Sequence, residues 1–363
     1  LKISIPEVLA RWLVESVKKS EIKFNALAFA FINSSVVNVA ANFGCCKIFA
    51  IVKVEEYVMA GRHRSSNAIF AHTNWDIIPV LCGIGHLLYV IGMFLIFPHA
   101  PWWLLGILGC LYAISISWNI NGVSHNFIHC PYFTRRWMNR LFSLVESLAI
   151  GFSQTYYHAI HMRHHRGNND RQDERGDTVD WLSYYRYGKN GQPENVWAFT
   201  FLSYFRDDPK ATMQDIKQYF PEEAGWAKFE VVCYVAFIIL GFVLSWKFML
   251  FLIPFNYLGN CLSSLNGFYE HFGGNTEVPI AWGVSCYGKL YNWIWFNNGY
   301  HAEHHYRPRT HWLQYPNLHQ QIQDEQKTAG VHVIKNCHAL GFLEPNGLNY
   351  AMADQHVPSL QSS

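Results

Sequence analysis

The sequence predicts an all-α integral membrane protein. Two transmembrane helical hairpins, about four spans with room for one more at the N-terminus, lie under a cytosolic helical cap that holds a histidine-rich two-metal site. Three observations point there. Of the 363 residues, 50% are hydrophobic and 15% charged, against about 25% charged in a soluble domain. Aromatics reach 17%, with 14 Trp, which suits a chain with interfacial belts. Histidine recurs in groups: His125 and His129 in SHNFIHC, His161, His164 and His165 in HMRHH, and His301, His304 and His305 in GYHAEHH. Spacings of three and four place each group on one face of a helical turn.

Residues 1–58 form a leader or extra helix. The run 24–52 is long enough to span, but Asn25, Asn33, Asn38 and Asn42 interrupt it, and Met59 offers an alternative start. Residues 59–325 then read as the membrane domain and 326–363 as a soluble tail. Segments 77–97 and 102–120 have the length a bilayer needs, about 20 residues, and Pro98-His99-Ala100-Pro101 turns the chain between them. Arg135, Arg136 and Arg140 mark the cytosolic side. Residues 141–156 are apolar but short and broken by Glu146, Ser147, Gly151 and Ser153, which suggests an interfacial or re-entrant helix. The polar insert 166–228 caps the site. Spans 231–246 and 248–265 make the second hairpin, with Pro254 as a kink, and the returning helix runs on to Glu270 and His271. Residues 276–300 are aromatic and amphipathic, and 312–327 suit a soluble helix. Two hairpins that each cross and return bring the segments around 125, 161, 271 and 301 to one face, together with the arginine clusters.

Neutral imidazole suits Fe, Zn, Cu and Ni. Eight boxed histidines are about twice what one zinc needs, so two metals are the economical count. HAEHH is not the H-E-x-x-H of zinc proteases. Each ligand ring needs its other nitrogen held by a neighbour. Asp170, Asp173, Glu174, Asp177 and Asp180 follow the second box and are candidates, as are His158 and His311. His86, alone in an apolar run, reads as packed rather than ligating. His63, His72, His99, His319, His332, His338 and His356 read as surface residues. The nine Cys form no C-x-x-C pair, and a net charge of +2 argues against nucleic acid as a partner.

HNFIH, HMRHH and HAEHH, in this order, resemble the three histidine boxes of the membrane fatty-acid desaturase and hydroxylase superfamily. NNGYHAEHHYRP is similar to the last box of acyl-lipid and sphingolipid desaturases. NGFYEHFGG resembles the E-H-Y-G element of alkane hydroxylases and the E-H-Y of sphingolipid desaturases. The resemblance covers residues 75–325. It implies two irons, with His271 as a ninth ligand beside His125, His129, His161, His164, His165, His301, His304 and His305. No catalytic side chain is expected beyond these. Some desaturases link an Asn to iron through water, but that Asn lies four residues before its His. Asn266 lies five before His271. Glu270 is expected to orient a ligand or cover the site.

The resemblance further implies O2-dependent oxidation of an aliphatic chain. Desaturation of a fatty-acyl chain comes first, then hydroxylation by a monooxygenase route, then oxidative decarboxylation of a free fatty acid to a terminal alkene. A membrane metal transporter and a b-type cytochrome are the non-enzyme alternatives. A transporter would place ionisable groups along a path within the spans, whereas these histidines fall just past span ends. Electrons must come from a separate donor of ferredoxin, rubredoxin or cytochrome b5 type. An acidic donor could dock at Arg135, Arg136 and Arg140, or at Arg163 and Arg166.

Overall fold

A computed structural model describes residues 68–344. The expectations for residues 1–58, for His63 and His356, and for the end of the tail lie outside the described residues. Among those described, the chain is helical, with only two isolated β-bridges, Phe70–Phe133 and Ser285–Val333.

Helix α1 (Ile77–Ile96) follows a short turn, Asn74–Asp76, that Thr73 caps through its side chain. Its outward face carries Leu88 and Leu95, both more than half exposed. Water would not tolerate such a continuous apolar surface, whereas lipid does. Helix α2 (Trp102–Trp118) returns from the turn, with Trp102 and Trp103 exposed at its start. It does not end near residue 120 as a plain span would. It passes through a π-helical stretch (Asn119–Ser124) straight into α3 (His125–His129). The wider π turn rotates the following residues relative to an α-helix and so aims the first box.

Helix α4 (Arg136–Ile150) is amphipathic and stops at Gly151, whose φ of 93° no β-carbon tolerates well. Ser153 then caps α5 (Gln154–Gly167), which carries the second box. An irregular stretch follows, then α6 (Val196–Leu202) and α7 (Pro209–Tyr219), the latter capped by Asp208 with Pro at its first turn.

The longest helix, α8 (Ala224–Tyr269), breaks at Ser245, where φ −158° and ψ 84° are not helical. Arms 224–244 and 246–269 fold back on one another. A β-carbon on Gly241 would lie 2.5 Å from Met249 Sδ. Both arms also line one cavity. The break falls at Ser245, where the chain must reverse. Pro254, the expected kink, sits in the second arm without a further departure from helical φ and ψ. Three helical stretches, 74–96, 102–129 and 221–269, are long and apolar enough to cross a membrane.

The second arm of α8 packs on α2 by close approach of small residues. Gly109 faces the Phe255 ring, and a β-carbon on Gly259 would meet Ile116 Cβ at 2.7 Å and Ala113 O at 2.8 Å. In lipid, where apolar surface gains nothing from leaving water, this backbone contact is the main source of helix association. Val90, Met93, Tyr112, Ile116, Phe248 and Leu252 fill the space between α1, α2 and α8. His86 is buried there, bonded to Ser115 Oγ and Asn119 Nδ2, both at 3.0 Å, so its polar atoms are satisfied inside the bundle.

The cap closes with α9 (Lys289–Ile294), α10 (His301–Tyr306) and α11 (Tyr315–Ala329). Phe296 and Asn297, at φ 50° and 62°, turn the chain sharply into the third box. Such a conformation for a bulky residue costs about 1–3 kcal/mol and persists only where neighbours enforce it. Here the Phe296 ring packs edge-on against Trp312, and Asn297 Nδ2 donates to Trp312 O.

Candidate metal centre

The ends of α3, α5, α8 and α10 bring nine imidazoles together in two groups. His125, His129, His161, His165 and His304 form the first, their nearest nitrogens all within 4.8 Å of one another. Nε2 atoms of His125, His161, His165 and His304 close a four-membered ring whose sides are 3.0–3.1 Å. A square with sides of that length has a half-diagonal of about 2.1 Å, the usual imidazole-to-metal distance. The His129 ring lies 4.5–5.3 Å from all four others.

His164, His271 and His305 form the second group. His164 Nε2 and His301 Nε2 both face His271 Nε2, at 3.0 and 3.1 Å, so His301 belongs with them. His165 and His305 stack at 4.3 Å and join the two groups.

Hydrogen bonds between imidazoles do not account for this packing. Asn298 Nδ2 donates to Glu270 Oε1 at 2.6 Å, so Asn298 Oδ1 must accept from His125 Nδ1. That leaves His125 Nε2 as a bare lone pair. Asp180 Oδ2 accepts from His164 Nδ1 at 2.7 Å, and His164 Nε2 faces His271 Nε2 at 3.0 Å. His129 Nε2, His271 Nδ1, His301 Nδ1 and both His305 nitrogens are buried without a partner. Orphaned buried nitrogens are costly. His129 and His305 belong to the two groups, whereas His271 and His301 face each other through Nε2, so their Nδ1 atoms lie on the far side of the rings. Burial first, then repulsion from neighbouring imidazoles, holds His161, His165, His271, His301, His304 and His305 well below the ordinary histidine range. At neutral pH these rings are therefore uncharged, as a metal ligand must be. An all-nitrogen donor set of this kind fits a borderline transition metal.

The groups that orient the rings were only partly among the sequence candidates. Of the acids after the second box, Asp180 is the one on a ring. Asp170 accepts from the backbone of Val179 and Asp180 and so holds Asp180 in place. Asp173 and Asp177 shape an exposed turn. His158 packs on Phe220, 4.8 Å between rings. His311 bonds Asp76 at 2.7 Å and faces His72, pinning the cap to the start of α1. Asn266 donates to Glu270 Oε1 at 2.7 Å. Glu270 Oε1 lies 3.8 Å from His301 Nδ1, and burial pushes its carboxyl up to about 7. Asn298 on His125 and the Tyr315 hydroxyl on His304 Nδ1, at 2.8 Å, were not candidates. No spacing rule could have found Asn298, which lies 173 residues from its partner.

Two histidines expected at the surface are structural. His338 is fully buried between Tyr291 OH and Val284 O. His319 holds Glu303 at 2.6 Å, a carboxylate that also accepts from Ser285 and Tyr287. His99 and His332 are exposed.

The sequence profile described as fatty acid desaturase matches residues 101–336. The chain belongs to the fatty acid desaturase family. The match runs from the start of α2 through all three boxes and His271, so the family's sequence signal and the convergence of imidazoles fall on the same residues. No curated protein and no solved structure matches this desaturase-family chain.

Proposed function

We propose that this chain is a membrane di-iron oxidoreductase that desaturates a fatty-acyl chain with O2. The observation that carries the reading is the pair of converging imidazole groups with bare nitrogens, within a desaturase-family chain. His125, His129, His161, His165 and His304 would hold one iron, and His164, His271, His301 and His305 the other. Two irons held there supply activation of O2 for hydrogen abstraction from an unactivated methylene. The balance is one O2, two electrons and two protons for one double bond and two waters.

The chain's own residues bind, orient and exclude water. Asp180, Asn298 and Tyr315 fix the rings of His164, His125 and His304, so that each presents Nε2 inward. Glu270, Asn266 and Asn298 form a closed polar wall beside His301. A cavity of about 430 Å³ opens between the two arms of α8 and against α1, α2 and α4, lined by apolar side chains such as Val90, Ile238 and Leu252. Its size suits a lipid tail. Tyr157 packs in the same core and lies 5.6 Å from the His161 ring. The two arms of α8 count as two crossings, giving four spans with the boxes on the cytosolic side. The domain then runs over 59–325, followed by a soluble tail.

Hydroxylation is the second reading, favoured by the Glu270-His271-Phe272-Gly273 element. The test is product analysis after feeding labelled C12–C18 chains to a host expressing the protein, with His164→Ala as the inactive control. A new double bond supports the proposal. An alcohol or terminal alkene as sole product overturns desaturation, and full activity of His164→Ala overturns the ligand assignment.

A further inference from the structure

The two imidazole groups are not equally covered. In the four-histidine group every ligand candidate is buried, whereas His129 and His165 of the five-histidine group are only half-buried. The edge of the five-histidine group is therefore the nearer approach from outside.

Two loops leave the centre at that edge. The first box runs out through Cys130 and Pro131 to Arg135, and the third box runs out through Tyr306 to Arg307 and Arg309. Cys130 Sγ donates to Arg309 O at 3.4 Å, so the loops lie side by side. The strand-like segment at Phe70 bridges to Phe133 beside them.

Charge distinguishes this surface from the paired arginines of the cap, although Arg171 and Arg175 in the insert are likewise exposed and make no ion pair with any described residue. Arg136 and Arg140 share Glu223, at 2.6 and 3.3 Å. Arg163 and Arg166 share Asp215, at 2.8 and 3.7 Å, and Arg206 is held by Glu194 at 2.6 Å. Arg135, Arg307 and Arg309 are exposed and make no ion pair with any described residue. Three uncompensated guanidinium groups thus stand on the two loops that lead directly to His129 and His305.

We propose that Arg135, Arg307 and Arg309 form the docking surface for an acidic one-electron carrier protein, which delivers electrons at the His129–His165 edge. The proposal rests on the di-iron reading, because it is that reaction which needs two electrons per turnover. Each docking event would oxidise the carrier by one electron, to be accepted by the metal ions that the nine histidines would hold. The paired arginines at 136, 140, 163 and 166 take no part. Carboxylates on the carrier meet guanidinium groups that have no competing partner, so the contact is strong at low salt and screened as salt rises.

The test uses the full chain in phosphatidylcholine nanodiscs, with a plant-type ferredoxin and the soluble domain of cytochrome b5 as probes. Binding of the oxidised carriers is measured against salt, so the readout does not depend on turnover. The triple variant R135E/R307E/R309E is expected to weaken binding of the carrier by about tenfold or more and to flatten its salt dependence. R136E/R140E is expected to change it less than about twofold. Reduction of the metal centre by dithionite should proceed at the same rate in the triple variant and the wild type. Equal carrier binding by triple variant and wild type, or no salt-sensitive binding of either carrier by the wild type, overturns the proposal. So does a triple variant that loses affinity only for phosphatidylserine-containing membranes, which would make the patch a lipid contact. Carrier binding that maps to the patch in a protein that forms no lipid product supports the docking surface while refuting the desaturase reading.

Discussion

Asp180→Ala separates the two metal sites. The Asp180 side chain is fully buried. Oδ2 accepts from His164 Nδ1 at 2.7 Å and from Asn169 N at 2.8 Å, and Oδ1 accepts from Leu182 N at 2.8 Å. Removal frees the His164 ring to rotate and to adopt the other tautomer. It also leaves two backbone N–H groups unmatched, at about 1–3 kcal/mol each. Loss of such an orienting carboxylate typically costs about 10- to 100-fold in metal affinity. His164 belongs to the four-histidine group alone, so the loss should fall on one metal. Asp180→Asn keeps one oxygen for His164 and Asn169 but turns an NH2 towards Leu182 N–H, so its effect should be intermediate. The assay is iron per chain after a fixed chelator challenge, with a thermal melt to show that each variant is folded. The expected series is two irons for wild type, between one and two for Asp180→Asn, and one for Asp180→Ala. A folded Asp180→Ala protein that keeps both irons with wild-type resistance to chelator refutes the reasoning.

Other perturbations test the scaffold. A β-carbon on Gly83 would lie 1.8 Å from Glu146 Oε1 and 2.9 Å from the Phe142 ring, so Gly83→Ala should destabilise by about 1–3 kcal/mol. The double variant with Glu146→Ala should recover part of that, and strictly additive melting shifts would contradict the predicted clash. Glu146 is fully buried, and burial pushes its carboxyl up to about 7. An unfolded Glu titrates near about 4.3. Between those values the folded chain holds a proton that the unfolded chain has released, so stability falls as pH rises and levels off above pH 7. Glu146→Gln should make this slope shallower, leaving the like contribution of Glu270, and parallel melting-temperature curves for variant and wild type from pH 5 to 8 would count against it. Tyr315→Phe removes the hydroxyl on His304 Nδ1 and should lower retention of the other iron, with chelator half-time as the readout. An unchanged half-time would show that the hydroxyl does not orient the ring.

Much of the centre was legible because the boxes are local. Spacings of three and four put His161, His164 and His165 on one face whatever the rest of the fold does. The alternation of apolar runs and turns likewise marked the helices that carry them. What escaped depends on contacts between distant segments. Asn298 and Tyr315 are ordinary polar residues until folding brings them to His125 and His304. His319 and His338 look like surface residues in polar sequence, yet each satisfies a buried partner. Pro254, expected to kink the second arm, does not depart from helical φ and ψ, while the reversal expected between spans 231–246 and 248–265 falls at Ser245. There the backbone leaves the helix between two apolar arms, while the N–H that Pro254 lacks is tolerated inside the second arm. The π turn before His125 has no composition signal at all, and it is this turn that aims the first box.

The central claim is that nine imidazoles hold two irons. The most direct measurement is a Mössbauer spectrum of the purified chain loaded with 57Fe, with iron counted per chain. The account predicts two nitrogen-ligated, non-haem irons per chain in two distinct environments, matching the groups of five and four. A single iron environment at one iron per chain, haem iron, or a site that takes up zinc in preference to iron would contradict it.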